Sequence, residues 1–197
     1  VKNNLQLVMS LIAMQSVTVR DVEARAALEQ TRARIGGIGI IHKLLYDEKR
    51  GKLGKVNAQA LVEALCAPQR TVFASGKVDL ECHGSPGDLP LDLAVPTSLF
   101  IVEAVSHAYL NGFAGGSKPG RIEVRLTIGD DVLRLEISHN AGVPPQGDGS
   151  DTGMALMNAY IMQLNGEMAI HQEDGLVTIV LDAPFPREPD AENRNAS

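Results

Sequence analysis

The stretch Val1-Lys-Asn-Asn-Leu-Gln-Leu-Val-Met-Ser-Leu-Ile12 decides how the rest of this chain is read. Leu5, Val8 and Ile12 recur at helical spacing, and Leu7, Leu11 and Met14 widen them into the apolar face of an amphipathic helix over Lys2 to Val17. The head of that helix is polar, with Lys2, Asn3 and Asn4 in its first turn. A polar head on an apolar body places one end at a site and the other in a bundle. Thr18, with Asp21 three positions later, marks the start of a second helix. That helix carries Val22, Ala26, Ile35, Ile38, His42 and Leu45 near one face and exits through Gly51 and Gly54. Two helices joined by a few residues form an antiparallel hairpin. A lone hairpin cannot bury an apolar stripe on each helix, so burial predicts a homodimer through a four-helix bundle.

With 197 residues the chain holds one medium domain, or a small one plus an accessory element. Apolar residues at 44% suffice for a core, and the net charge of −6 argues against nucleic acid or an anionic membrane as partner. Trp is absent and aromatics are 4%, which excludes base-stacking platforms. Cys66 and Cys82 show no CxxC or Cys/His ligand spacing and read as reduced, packed thiols of a cytoplasmic protein. No apolar run approaches the roughly 18 residues of a membrane span, and no signal-peptide pattern is present. The expectation is a cytoplasmic segment without membrane contact, with a sensory or membrane segment ahead of Val1 left open.

Arg34-Ile-Gly-Gly-Ile-Gly-Ile-Ile-His-Lys43 brings glycines before a lysine, yet matches neither phosphate-loop spacing and follows no strand. It reads instead as small residues allowing close helix contact inside the bundle, with His42 packed on the same stripe. Beyond Lys55 the pattern changes. Asn57 caps a short helix from Ala58 to Leu65 that ends before Pro68, and Lys77 to His83 alternates as a strand. Leu89 to Leu93 is a short apolar stretch, and a long apolar helix runs from Ser98 to about Gly112. Strands follow at Arg121 to Ile128 and Val132 to Ser138, then a Gly/Pro/Asp-rich loop from His139 to Thr152. A helix from Gly153 to Leu164 and a hairpin of Glu167 to His171 with Leu176 to Leu181 complete the fold. The result is an α+β chain: a helical hairpin over 1–52, a two-layer α/β sandwich over 55–184, and a disordered polar tail over 185–197.

Val1-Lys-Asn-Asn-Leu-Gln, Ala13-Met-Gln and Ile40-Ile-His-Lys-Leu-Leu-Tyr46 resemble the dimerisation helices of HWE-like sensor histidine kinases. The remainder resembles their GHKL-type (Bergerat-like) ATP-binding domain, and the likeness covers about residues 1 to 184. The resemblance places a phosphoacceptor histidine two residues ahead of Val1, outside this sequence. It also places Asn3 where an amide can orient water toward an aspartyl phosphate, and makes Lys2, Asn3 and Asn4 a partner-docking end.

The nucleotide-site helix of the resembled family reads Asn-Glu-Leu-Val-Thr-Asn-Ala-Leu-Lys-His-Ala-Phe. Here it is Val102-Glu-Ala-Val-Ser-His-Ala-Tyr-Leu-Asn-Gly-Phe113. Glu103 is kept, but His107 replaces the Mg²⁺-binding amide and Leu110 replaces a lysine that can meet phosphate; Asn111 lies one turn beyond His107. Mg²⁺ needs oxygen ligands, so an imidazole is a poor substitute. The turn that resembles Asp-Asx-Gly-x-Gly-Leu-Pro appears as His139-Asn-Ala-Gly-Val-Pro-Pro145. His139 thus stands where the family's adenine-reading Asp would be, beside Asn140, Ala141 and Gly142, and Ala141 occupies a position whose backbone could require glycine. Gly153 keeps the start of the following helix, which could present amides to an anion. His107 and His139 without a third ligand do not make a metal site. The resemblance therefore implies a degenerate, pseudokinase-like site with ATP and Mg²⁺ binding weak or lost and no cofactor. The expected function is phosphoryl handling with a response-regulator receiver domain, as histidine phosphotransferase or phosphatase. The alternatives are an ATP-dependent sensor histidine kinase and a non-catalytic adaptor.

Overall fold

The computed structural model describes residues 2–18, 20–46, 54–145 and 152–186. Helix α1 spans Lys2–Thr18 and helix α2 spans Val22–Tyr46, and the two pack together. Thr18 Oγ1 donates to the Gln15 carbonyl at 2.9 Å, while Asp21 Oδ1 accepts the Ala24 amide at 2.9 Å. Asp21 rather than Thr18 therefore caps α2, a correction to the sequence expectation, and Thr18 closes the helix before it. The expected exit at Gly51 and the tail beyond residue 186 lie outside the described residues.

Helix α2 buries a stripe that matches the expected one only in part. Leu45 packs on the core as expected, joined by Ala33, Ile40, Ile41 and Leu44, whereas Val22 and Ile38 are exposed. The glycine pair is shared between two contacts. A Cβ on Gly36 would meet Met9 of α1 at 3.5 Å, but one on Gly37 would meet Val102 at 3.4 Å, with Leu65 and Leu99 behind it. Gly37 thus seats α2 on the second half of the chain, not inside the hairpin.

Strand β1 (Lys55–Asn57) leads into helix α3 (Ala58–Ser75), capped as expected by Asn57 Oδ1 on the Ala60 amide at 2.9 Å. The helix does not stop before Pro68. Pro68 faces solvent within it, and α3 continues because Arg70 Nε donates to the Leu80 carbonyl at 3.2 Å and Phe73 stacks on Tyr109 with centroids 4.1 Å apart. Strands β2 (Val78–Gly84) and β3 (Asp88–Pro90) follow. Helix α4 begins at Leu91 rather than Ser98 and runs to His107, carrying Pro96 in its second turn. Burial of Phe100, Ile101, Ala104 and Val105 offsets the hydrogen bond that Pro96 cannot donate. Leu91–Gly112 is long and apolar enough to cross a membrane, yet 72% of its most apolar window is buried inside the fold, as befits a core helix.

Strands β4 (Gly120–Ile128) and β5 (Val132–His139), helix α5 (Thr152–Gln163), and strands β6 (Glu167–Glu173) and β7 (Leu176–Pro184) complete the sequence of elements. The five-stranded sheet has the order β2-β4-β5-β7-β6. β2 pairs parallel with β4 across the α4 connection, and every other pair is antiparallel. β1 pairs only with β3, in a separate two-stranded sheet. Alternation sets the faces: Ile122, Val124 and Leu126 of β4 and Leu133, Leu135 and Ile137 of β5 point inward. Outward residues pair across strands, as Arg134 does with Asp182 at 2.7 Å. This is the expected α+β architecture of helices on one face of a sheet.

The cysteines overturn their sequence reading. Cys66 of α3 and Cys82 of β2 form a disulfide, with Cα atoms 6.5 Å apart. Sixteen positions separate them in sequence, and packing of α3 along β2 brings them together, which residue spacing could not show.

Candidate functional site

The period-two alternation of β5 does not end at Ser138. It carries His139 to the next inward position, opposite Ile122 and Val177, where only 1% of the residue is exposed. The ring lies edge-on to Phe113, centroids 6.1 Å apart, and Nδ1 has no hydrogen-bond partner among the described residues. Burial, with His107 adding like-charge repulsion, pushes the His139 imidazole from 6.5 down to about 4. At neutral pH this position therefore holds an uncharged ring. The expected loop residue is a core residue.

His107 closes α4 near enough to His139 to act on its charge, and the chain then leaves the helix in an unusual way. Ala108–Gly112 is a π-helical turn, closed by the Phe113 amide on the Ala108 carbonyl at 3.0 Å. The turn sets Gly112 against the end of β5, and a Cβ built there would lie 2.7 Å from Ala141 Cβ. Ala141 keeps ordinary backbone geometry, and the positive φ falls on Gly142 instead, at 72°. The predicted conflict at Ala141 does not arise. The missing Cβ at 112 makes room for the methyl at 141. Gly112→Ala is expected to cost about 1–3 kcal/mol by overpacking, and Ala141→Gly in the same chain to recover most of it. Urea unfolding of the four chains in this double-mutant cycle reads the coupling directly.

Glu103 faces elsewhere. Its carboxylate is 2% exposed and takes both guanidinium arms of Arg34: Nε donates to Oε1, and Nη2 to Oε2 at 3.1 Å. Arg34 lies on α2, 69 positions earlier, and the Glu103 carboxylate raises the Arg34 pKa. Tyr160 of α5 stands close enough for burial and the same carboxylate to raise its hydroxyl pKa. Arg34 is the partner of Glu103 that sequence reasoning missed. Its signal was present, because Arg34 falls on the helical face of Gly37 and Ile41, which α2 turns inward.

The other expected residues disperse. Leu110 borders an apolar cavity of about 550 Å³ between α2 and the α3/α4 surface. Asn111 is exposed. Asn140 serves the sheet, accepting the Arg121 amide at 2.9 Å, and the Gly142 carbonyl accepts from Gln172 at 2.8 Å. Gly153 is buried in the first turn of α5. Lys2, Asn3 and Asn4 belong to the first turn of α1, and their side chains lie outside the described residues. Of these positions, His107 and His139 lie close enough to interact electrostatically. Among the described residues, no group of three His, Cys, Asp or Glu could hold a metal.

Comparison with known proteins joins the hairpin and the sheet into one assignment. A histidine kinase family model matches residues 1–72. Sensor histidine kinase PdtaS of Mycolicibacterium smegmatis is 25% identical over 197 residues, 95% of this chain. The chain is thus similar to histidine kinases: its first 72 residues match the family model and nearly its whole length resembles sensor kinases. PdtaS of Mycobacterium tuberculosis H37Rv is likewise 25% identical over 95% of the chain, and the chain spans 38% of the length of these curated relatives. The same fold is seen in the histidine kinase domain of the Erythrobacter litoralis EL346 blue-light activated kinase. That structure has a TM-score of 0.69 at 16% identity and covers 93% of this chain and 89% of its own. The residues described above fall on the hairpin, which the family model covers in full, and on the α/β half of the chain, most of which lies beyond it.

Proposed function

We propose that this histidine-kinase-like chain exchanges phosphoryl groups with a response-regulator receiver domain, as histidine phosphotransferase or phosphatase, without using ATP. The observation that carries this reading is the His107–His139 pair. Two imidazoles, one buried and neutral, occupy the positions where the family resemblance calls for an amide and a carboxylate. Neither offers the oxygen that Mg²⁺ favours, and His139 can accept from an adenine amino group only at one ring nitrogen, with a shape unlike a carboxylate. The clamping of Glu103 by Arg34 and the turning of Leu110 toward the hairpin support the same reading.

In this reading Lys2, Asn3 and Asn4 at the head of α1 receive the receiver domain, with Asn3 as the water-orienting amide in the phosphatase case. The bundle is a homodimer, which would cover the outward stripe of Leu7, Leu11 and Met14, exposed by 60%, 52% and 69% in the single chain. A cytoplasmic location follows from such a partner. ATP-dependent kinase activity is the second reading, favoured by the name of the curated relatives, sensor histidine kinase.

One assay separates them. The intact protein is mixed with labelled ATP and Mg²⁺, and in parallel with a phosphorylated receiver domain. The expected result is no label from ATP, with label either moving from the receiver onto the protein or leaving as inorganic phosphate. Label acquired from ATP would overturn the proposal. Binding of the receiver without loss of its phosphate would leave an adaptor.

A further inference from the structure

We infer that the Cys66–Cys82 disulfide is a redox-responsive tether that governs how firmly α3 supports the hairpin, with a small dithiol as its reductant. β2 is one of the two edge strands of the five-stranded sheet, so its attachment to α3 sits at the rim of the fold. The two sulfurs are unequally reachable. Cys66 is buried beneath α3, while half-buried Cys82 lines an open hollow of about 530 Å³ with Asn57, Gln59, Glu63 and His83. A small thiol can therefore reach Cys82 and not Cys66.

The chemistry follows from that asymmetry. A reductant thiolate attacks Cys82 Sγ, a mixed disulfide forms, and the electron pair of the broken S–S bond leaves on Cys66 Sγ, which takes up a proton. The second thiol of the reductant then attacks its own sulfur in the mixed disulfide. Cys82 is released as a thiol and the reductant becomes a cyclic disulfide. The protein gains two electrons and two protons.

The other flank of α3 shows what the tether controls. Leu65, Pro68 and Val72 border the 550 Å³ cavity that lies between α3 and Gly36, Gly37 and Ile40 of α2, with Gly37 and Leu65 approaching each other at its edge. Side chains beside a cavity lack contacts on that side, so this face holds α3 less firmly than its packing on the sheet. Cutting the tether leaves α3 attached to β2 through Arg70, which donates to the Leu80 carbonyl, with Val62 still buried in the core. The fold survives, and α3 gains freedom to shift toward α2.

The test uses the intact chain purified without reductant and then equilibrated with dithiothreitol. Alkylation followed by mass spectrometry is expected to find both cysteines protected at first, with Cys82 alkylated ahead of Cys66 on reduction. Hydrogen exchange is expected to quicken several-fold in α3 and in the facing part of α2, but not in β5 or β7. The Cys66→Ser/Cys82→Ser chain is expected to exchange at the reduced rate with or without dithiothreitol. Two alkylatable thiols in the chain purified without reductant would overturn the inference. So would exchange in α2 and α3 that reduction leaves unchanged.

Discussion

Arg34→Met is expected to destabilise the protein by about 3–5 kcal/mol, the usual effect of stranding one charge of a buried pair. Glu103 is 2% exposed and has its whole carboxylate engaged by Arg34. Without the guanidinium, that carboxylate has no route to water. The reverse change is milder, because the Arg34 side chain is 20% exposed and can turn its head to solvent. Glu103→Gln is accordingly expected to cost about 1–3 kcal/mol. Removing both charges, as in Arg34→Met/Glu103→Leu, should recover most of the loss, since two desolvated ions are replaced by apolar side chains. Urea unfolding of the four chains checks the order. An Arg34→Met chain within roughly 0.5 kcal/mol of the parent would show that the pair does not hold α2 on α4.

The second large effect is set by pH. In the folded chain His139 takes a proton only near pH 4, whereas the same side chain free in solution does so at 6.5. Between those values the unfolded chain binds a proton that the folded chain refuses. Stability therefore falls as pH falls through this window, by roughly 3 kcal/mol for a displacement of that size. The stabilisation is complete above about pH 6.5 and gone near pH 4. Asp182 and Glu63 complicate the acid end. Their carboxyls are held below the usual carboxylate range by Arg134 and Arg70, so their stabilisation also fades as pH falls through those lowered values. His139→Gln separates the contributions. Its stability should lack the decline between pH 6.5 and 4.5 that the parent shows, whatever its baseline. Equal slopes for parent and variant across that range would refute a buried neutral imidazole.

The two expectations rest on residues that the sequence exposed to very different degrees. His139 was identified as a candidate, yet its environment was missed because the strand was ended one residue early. One more step of the alternation Leu133, Leu135, Ile137 carries it inward. Glu103 was also identified, but its partner is 69 positions away, and nothing local to either residue relates them. The disulfide is the same kind of case, with local spacing silent and the α3/β2 contact decisive. Helix ends failed where tertiary contacts outweigh local propensity, as in α3 continuing past Pro68 and α4 starting ahead of Pro96.

The sequence by itself determined the hairpin, the α+β class, the inward-facing strand residues and the two histidines in place of oxygen-bearing side chains. These are local patterns: helical period, strand alternation and residue chemistry are written in consecutive positions. Only the tertiary structure decided that α2 turns Arg34 and Gly37 toward α4, that Glu103 is clamped rather than open, that Gly112 makes room for Ala141, and that Cys66 meets Cys82. Each is a contact between elements distant in sequence. Burial of whole apolar faces drives such contacts, and that driving force is non-directional. The polar partners found inside are settled by how the faces dock.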